Sequence, residues 1–232
     1  MYKEMLRYSK KYNADLVECG FYHVSKGKIE YAQTFEPKLQ SGPLENCLSL
    51  VKHDNTTNSI WNKLYKRTLI GDTRFSDYKY SEDLHFNSLL AYKCEIKCTI
   101  SKEFYYYNLV EESAIRSPFS DNQIDQIKVR KSIYNFFSKK EKYEEVATYI
   151  SVDLLISIVR LHYKMTENED ILFSSYVNYF KKEFNSFFKK VPKFYITNIK
   201  PQRLRVAVRL YAVNPTIFHH FLIIYRKFVE NK

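Results

Sequence analysis

The sequence predicts an α/β part over residues 1–120 followed by an all-α region over residues 121–232. Strand-like runs occur only in the first part, and long helical patterns fill the second. The charge also divides there, because residues 121–232 hold 20 of the 37 Lys and Arg but 11 of the 26 Asp and Glu. A hydrophobic content of 45% supports a buried core in a chain of 232 residues.

The first elements are a helix, a strand and a hairpin. Met5, Leu6 and Tyr8 recur at helical spacing, which predicts a helix over residues 2–12. A strand follows from Leu16, and a turn at Ser25–Lys28 predicts that it forms a hairpin with the next strand-like run.

The remaining elements of this part alternate between helices and strands. Pro43 begins a helix, and Ile60–Tyr65 leads into a short helical turn that ends near Gly71. Ser81 is placed to cap a helix that continues to Tyr92. The segments 96–100 and 104–107 have the composition of two final strands.

The C-terminal region reads as a series of basic, aromatic-rich helices. Glycine is scarce, and only Pro192, Pro201 and Pro215 interrupt the pattern. The spacing of Tyr and Phe is typical of a helix-helix core. The predicted helices span residues 121–138, 141–165, 168–190, 200–212 and 215–229, with the boundary between the two parts near Arg116–Asp121.

Several classes of protein are disfavoured by composition. Cys94 and Cys98 lack a second ligand pair at zinc-finger spacing, so we predict no metal site and no disulfide. The N-terminus has no signal-sequence pattern, which favours reduced thiols in the cytoplasm. The longest apolar run, Phe221–Tyr225, is too short to cross a bilayer, so no membrane-spanning segment is predicted.

Glu82 and Asp83 form a carboxylate pair at the start of a predicted helix. A carboxylate within hydrogen-bonding reach of a hydroxyl is suited to act as a general base. Acidic residues in a first helical turn are also common where they serve only to cap the helix. Both interpretations of this pair remain open on spacing alone.

Other motifs surround this pair. The segment Trp61–Tyr65 reads Trp-Asn-Lys-Leu-Tyr, and Tyr80–Phe86 reads Tyr-Ser-Glu-Asp-Leu-His-Phe. A tyrosine-rich run at Tyr105–Tyr107 precedes Ser113–Ser117. Together with the opening Met1–Met5, these segments resemble the second half of the family 2 glycosyltransferases of bacterial surface-polysaccharide synthesis.

The resemblance implies a partial GT-A-like domain with an incomplete sheet over about residues 1–120. It implies that Asp83, or its neighbour Glu82, is the catalytic base of an inverting sugar transfer. Stacking or walling of the cleft by Trp61 is implied as well; a large hydrophobe closing the core is the alternative for this residue. The implied substrate-binding residues are Trp61, Asn62, Lys63, Tyr80 and Arg116.

The half of the family that binds the nucleotide is not represented in this sequence. No Asp-x-Asp is present, so we expect no cofactor site in this chain alone, whereas a complete enzyme would use Mn²⁺ or Mg²⁺ with its nucleotide-sugar donor. The expected acceptor is a saccharide or a lipid-linked saccharide. The isolated chain is expected to be a poor or inactive transferase, with an exposed sheet edge through which homo- or hetero-oligomers form.

The alternative function is a non-catalytic basic helical module that binds an anionic membrane surface or a protein partner. Lys181, Lys182, Lys189, Lys190 and Lys193 alternate with phenylalanines, a pattern that lies on the inner face of a membrane in peripheral proteins. Nucleic-acid binding is not predicted, because no recognition motif accompanies the basic residues.

Overall fold

The computed structural model describes residues 1–110, 119–166 and 173–230, apart from the side chains of 173–175 and 225–230. Contacts within the chain separate two compact units, residues 1–117 and residues 118–232. The first unit is mixed α/β and the second is helical throughout its described residues. The predicted fold class, an α/β part with a partial sheet followed by helices, is confirmed.

A five-stranded sheet organises the N-terminal unit. Its central strands are parallel to each other, and every other pairing is antiparallel. The strand order is β2-β1-β5-β3, and β4 pairs with the beginning of β1. In chain order the strands are β1 (Leu16–Ser25), β2 (Lys28–Gln33), β3 (Lys38–Ser41), β4 (Lys63–Tyr65) and β5 (Ile96–Asn108).

The strand β5 replaces two predicted strands with one, because a bulge lies where the sequence suggested a break. Its register with β1 shifts on both sides of Gly20. A side chain at Gly20 would place its Cβ 2.6 Å from the carbonyl oxygen of Gln33. Glycine is therefore required where β1 passes closest to its neighbours.

Helices cover both faces of this sheet. Met5 packs on Val17, Cys19 and Cys98 on one face, and Phe86 packs with Leu16, Leu90 and Cys94 in a separate cluster. All four cysteines are buried free thiols. The helices are α1 (Tyr2–Tyr12), α2 (Pro43–Lys52), α3 (Arg67–Ile70) and α4 (Glu82–Ala91).

The helix α4 begins differently from the predicted cap. Ser81 precedes it in a left-handed conformation with φ 62°, and its side chain makes no capping hydrogen bond. The backbone N–H of Leu84 instead donates to Oδ1 of Asp83 at 2.7 Å. One oxygen of Asp83 thus satisfies an otherwise open donor of the first turn.

The C-terminal unit is built around one long helix, α6, which contacts all the other α-helices of the unit. Its apolar window is two-thirds buried (67%). By length and composition alone α6 could cross a membrane, contrary to the prediction that no segment is long enough, but this burial is typical of a core helix. After a 3-10 helix at Asp121–Ile124, the helices are α5 (Asp125–Phe137), α6 (Glu144–Met165), α7 (Phe173–Phe188), α8 (Lys193–Thr197), α9 (Gln202–Val213) and α10 (Pro215–Glu230).

The phenylalanines of α7 belong to this core. Phe180 and Phe184 are fully buried, and Phe187 is buried beside them. They pack with the aliphatic side chains of α6. The predicted aromatic and basic membrane face on residues 180–193 is therefore not formed, because its rings point into the unit.

Candidate active site

Glu18 lies at the centre of a buried cluster of charges on the sheet. Its side chain is fully buried, and its two oxygens lie 2.9 Å from the Nζ atoms of Lys63 and Lys97, respectively. Thr56 and Thr57 donate further hydrogen bonds to the same carboxylate. Burial alone would raise the pKa of Glu18, but the two lysines and Thr56 outweigh it and lower the pKa to about 2.

This cluster fixes the segment 56–63 against the sheet. The ammonium group of Lys63 donates to the carbonyl oxygens of Thr57 and Ser59. The amide of Asn62 donates to the carbonyl oxygen of Cys19 at 2.8 Å. Burial lowers the pKa of Lys63, while the charge of Glu18 acts to raise it.

Asn62 and Lys63 were predicted to contact a substrate, and the structure places both inside the unit. The side chain of Lys63 is 1% exposed, and Asn62 is fully buried. Their polar atoms are engaged with Glu18, Thr57 and the local backbone. The geometry gives them a positioning role for the loop that carries Trp61.

A second network ties the same loop to α4. The hydroxyl of Tyr65 donates to Oδ1 of Asn87 at 2.7 Å, and the Asn87 amide donates to the carbonyl oxygen of Asn58 at 2.6 Å. Tyr65 is therefore an anchor between β4 and α4. Burial, together with the charges of Glu18 and Asp83, raises its pKa.

The predicted base, Asp83, is half-buried at the start of α4. Burial raises the pKa of its carboxyl, and the charge of Glu82 adds to that rise. The Leu84 N–H and the charge of Lys63 act in the opposite direction. A carboxylate with a raised pKa has a higher proton affinity than an exposed one, which favours a role as a base near neutral pH.

Trp61 lies in an aromatic cluster with the tyrosine-rich part of β5. Its ring stacks on Tyr105 and Tyr107, with centroids 4.4 and 5.1 Å away, and meets Phe21 edge-on. The indole remains partly exposed. The structure thus brings together two of the sequence motifs, and the packing against the sheet matches the alternative predicted for Trp61.

The other predicted residues are less closely connected to this site. Tyr80 is half-buried just before α4, and Arg116 lies outside the described residues. A separate cavity of about 390 Å³ includes neither Asp83 nor Trp61. It is lined by Gln33, Thr34, Phe35, Glu36, Lys38, His53, Asp54, Asn55 and Thr56.

Sequence reasoning missed the residues that hold the site in place, chiefly Glu18, Lys97, Thr56 and Asn87. Glu18 could have been noticed, since it interrupts the apolar run from Leu16 to Phe21 and a buried carboxylate requires a partner. The identity of those partners depends on the strand pairing, in which Glu18 lies opposite Lys63 of β4.

The described residues do not provide a metal centre. In residues 1–110, 119–166 and 173–230, no three His, Cys, Asp or Glu side chains converge to hold an ion. The residues around Asp83 therefore do not fit the divalent cation expected of a complete enzyme. What they offer is a half-buried carboxylate, an aromatic surface and a loop fixed by buried charges.

Comparison with solved structures identifies the fold. The chain is similar to the structure of S. aureus TarS 1-349 in complex with UDP-GlcNAc, with a TM-score of 0.63 at 14% identity over 97% of this chain. The chain has a glycosyltransferase-like fold. No protein-family model matches the sequence, and no curated protein does. The chain spans 63% of the TarS chain.

Proposed function

We propose that this chain is the acceptor-side part of an inverting glycosyltransferase that transfers a sugar from a nucleotide-sugar to a hydroxyl. The observation that carries the proposal is Asp83, half-buried at the start of α4 with its pKa raised by burial. The similarity to TarS, a glycosyltransferase whose structure holds UDP-GlcNAc, supports the same class of donor.

In the proposed reaction, Asp83 accepts the proton of the acceptor hydroxyl while that oxygen attacks the anomeric carbon of the donor sugar. The bond from the anomeric carbon to the diphosphate breaks, the nucleoside diphosphate leaves, and the configuration inverts. Glu82 keeps the proton affinity of Asp83 high through its negative charge. Trp61 forms one wall of the cleft, and Lys63 and Asn62 hold that wall in position.

The donor diphosphate and its cation are, in this proposal, bound by a second polypeptide. The sequence contains no Asp-x-Asp, and a leaving diphosphate requires stabilisation of its developing charge. A nucleotide-binding half that carries this motif would complete the site. Surface polysaccharide is the product class that the resemblance of the sequence suggests.

The proposal is tested with radiolabelled UDP-GlcNAc, Mn²⁺ and saccharide acceptors. We expect little transfer by the chain alone, and transfer when the polypeptide carrying an Asp-x-Asp half, encoded beside this chain, is added. Asp83→Asn should abolish that transfer. Asp77→Asn, which changes an exposed aspartate near α4, is the matched control and should retain it.

Two results would contradict the proposal. Full transfer by Asp83→Asn would remove Asp83 from the role of base. Tight binding of UDP-GlcNAc to this chain alone by calorimetry, dependent on Mn²⁺, would show that the donor site is not divided between polypeptides.

A further inference from the structure

The last two helices of the C-terminal unit each carry a stripe of exposed apolar side chains. On α9 these are Val206, Leu210 and Val213, and their spacing places them on one face of the helix. On α10, Ile217, Phe221 and Ile224 repeat the same spacing. These six side chains, the α9–α10 apolar surface, are between 38% and 79% exposed.

This surface is additional to the face that each helix already buries. Val208 and Tyr211 of α9 and Phe218 and Leu222 of α10 lie in the core of the unit. A helix that covers a core needs one apolar face, and the opposite face is normally polar. The exposed stripes are therefore not explained by the packing of this unit.

The charge around the stripes has a single sign. From Phe184 to Val229 the sequence contains no Asp or Glu and nine Lys or Arg. Arg203 and Arg209 lie one helical turn before and one turn after Val206, and both are exposed. The apolar stripe of α9 is thus flanked by cations.

We propose that the α9–α10 apolar surface binds an anionic lipid bilayer, with its aliphatic side chains in the headgroup region and its arginines on lipid phosphates. Apolar residues bordered by Lys and Arg are the signature of helices that lie in the membrane interface. Anionic lipids attract such cations electrostatically. The apolar segment Pro215–Ile224 is too short to span a bilayer, so it lies along the surface.

Charge favours this occupant over the alternatives. Two copies of this chain meeting through the surface would bring two sets of cations together, which opposes association. Single-stranded nucleic acid is bound through aromatic rings that stack on bases. Five of the six exposed side chains are aliphatic and cannot stack in this way.

The test is flotation of the whole chain with vesicles at physiological ionic strength. We expect the protein to float with phosphatidylglycerol-containing vesicles and to remain in solution with phosphatidylcholine alone. Ile217→Asp should weaken flotation about tenfold, because it places a charge in the apolar surface. Ile29→Asp changes an equally exposed isoleucine on β2 and should have no effect.

A second pair of variants tests the electrostatic part without altering the apolar residues. Arg203→Glu combined with Arg209→Glu should abolish flotation, whereas Lys26→Glu combined with Lys28→Glu, an equal charge change on the exposed β1–β2 turn, should not. Circular dichroism verifies that each variant is folded.

Three results would overturn the proposal: no flotation with anionic vesicles, equal flotation with neutral ones, or equal losses in the test and control variants. Light scattering provides a further check. A dimer that Ile217→Asp dissociates in the absence of lipid would identify a second copy as the occupant instead.

Discussion

The interiors of the two units are stabilised in different ways. The N-terminal unit buries Glu18 between Lys63 and Lys97 on its sheet. The C-terminal unit buries rings, among them Phe180, Phe184 and Tyr211. Its fully buried histidine, His162, lies 3.3 Å from both the Tyr211 hydroxyl and Nδ1 of His219.

The difference teaches which unit is specialised for a site. Buried charges cost desolvation energy and are weak stabilisers, but they fix geometry because each partner must remain in place. The segment 56–63 carries Trp61 and is held by these charges and by Asn87. Aromatic packing in the other unit stabilises a scaffold without requiring one exact arrangement.

The largest expected effect comes from removing the central charge. Glu18→Gln leaves Lys63 and Lys97 buried without a counter-ion and should lower the free energy of unfolding by about 3–5 kcal/mol. Denaturant unfolding measures the loss. Glu30→Gln on the exposed strand β2 should change it little, and an equal effect of both substitutions would show that the cluster is dispensable.

Acid should affect the two units at different pH values. Burial lowers the pKa of His162 to about 3, and the charge of His219 contributes. The unfolded histidine binds a proton below about pH 6.5, so the C-terminal unit should lose about 2 kcal/mol at pH 5. The pKa of Glu18 is lowered to about 2, so its contribution is lost only as the pH falls below about 4.5.

Hydrogen exchange at pH 7 and pH 5, corrected for the intrinsic rates, measures this difference. Amides of α6 should lose protection at pH 5 while those of β1 keep theirs. The variant His162→Gln should remove the pH dependence from α6. Equal loss of protection in both segments would contradict the separate titrations.

A smaller effect is expected from the aromatic core. Phe184→Leu conserves most of the apolar volume and should lower the free energy of unfolding by about 1 kcal/mol. Phe194→Leu, at a residue that is 68% exposed, is the control. If Phe184→Leu destabilised the chain as strongly as Glu18→Gln, the proposed contrast between the two interiors would be wrong.

The smallest effect should have the opposite sign. The raised pKa of Asp83 means that its ionised form destabilises the folded state at neutral pH, and this cost disappears as the pH falls through that pKa. Asp83→Asn retains an acceptor for the Leu84 N–H and should stabilise the chain by roughly 0.5 kcal/mol. Thermal unfolding, with Asp77→Asn as control, measures it; destabilisation would indicate that Asp83 serves mainly as a cap.

The helices were the most predictable part of the fold. Proline breaks and apolar spacing correctly predicted α6, α9 and α10 to within a few residues. The helix α8 was missed because only five residues form it. The strand β3 was missed because Lys38–Ser41 has little strand character of its own and is held by pairing with β5.

The site was predictable in its motifs but not in its connections. The sequence correctly associated Trp61 with the tyrosines of β5, whose rings it contacts. The burial of Lys63 could not be read from its neighbours, since its partner Glu18 lies on a distant strand. Long-range strand register, which a single sequence does not specify, decides which charges meet.

The bulge at Gly20 limits how the length of this chain can change. From Cys19 to Phe21 the strand β1 advances two residues, while its partner β5 advances five, from Ile100 to Tyr105. One codon inserted or deleted in that stretch would turn every later side chain of β5 to the opposite side of the sheet. Tyr106 would then replace Tyr105 and Tyr107 beside Trp61, so a length change here would erase the aromatic wall while leaving its composition intact.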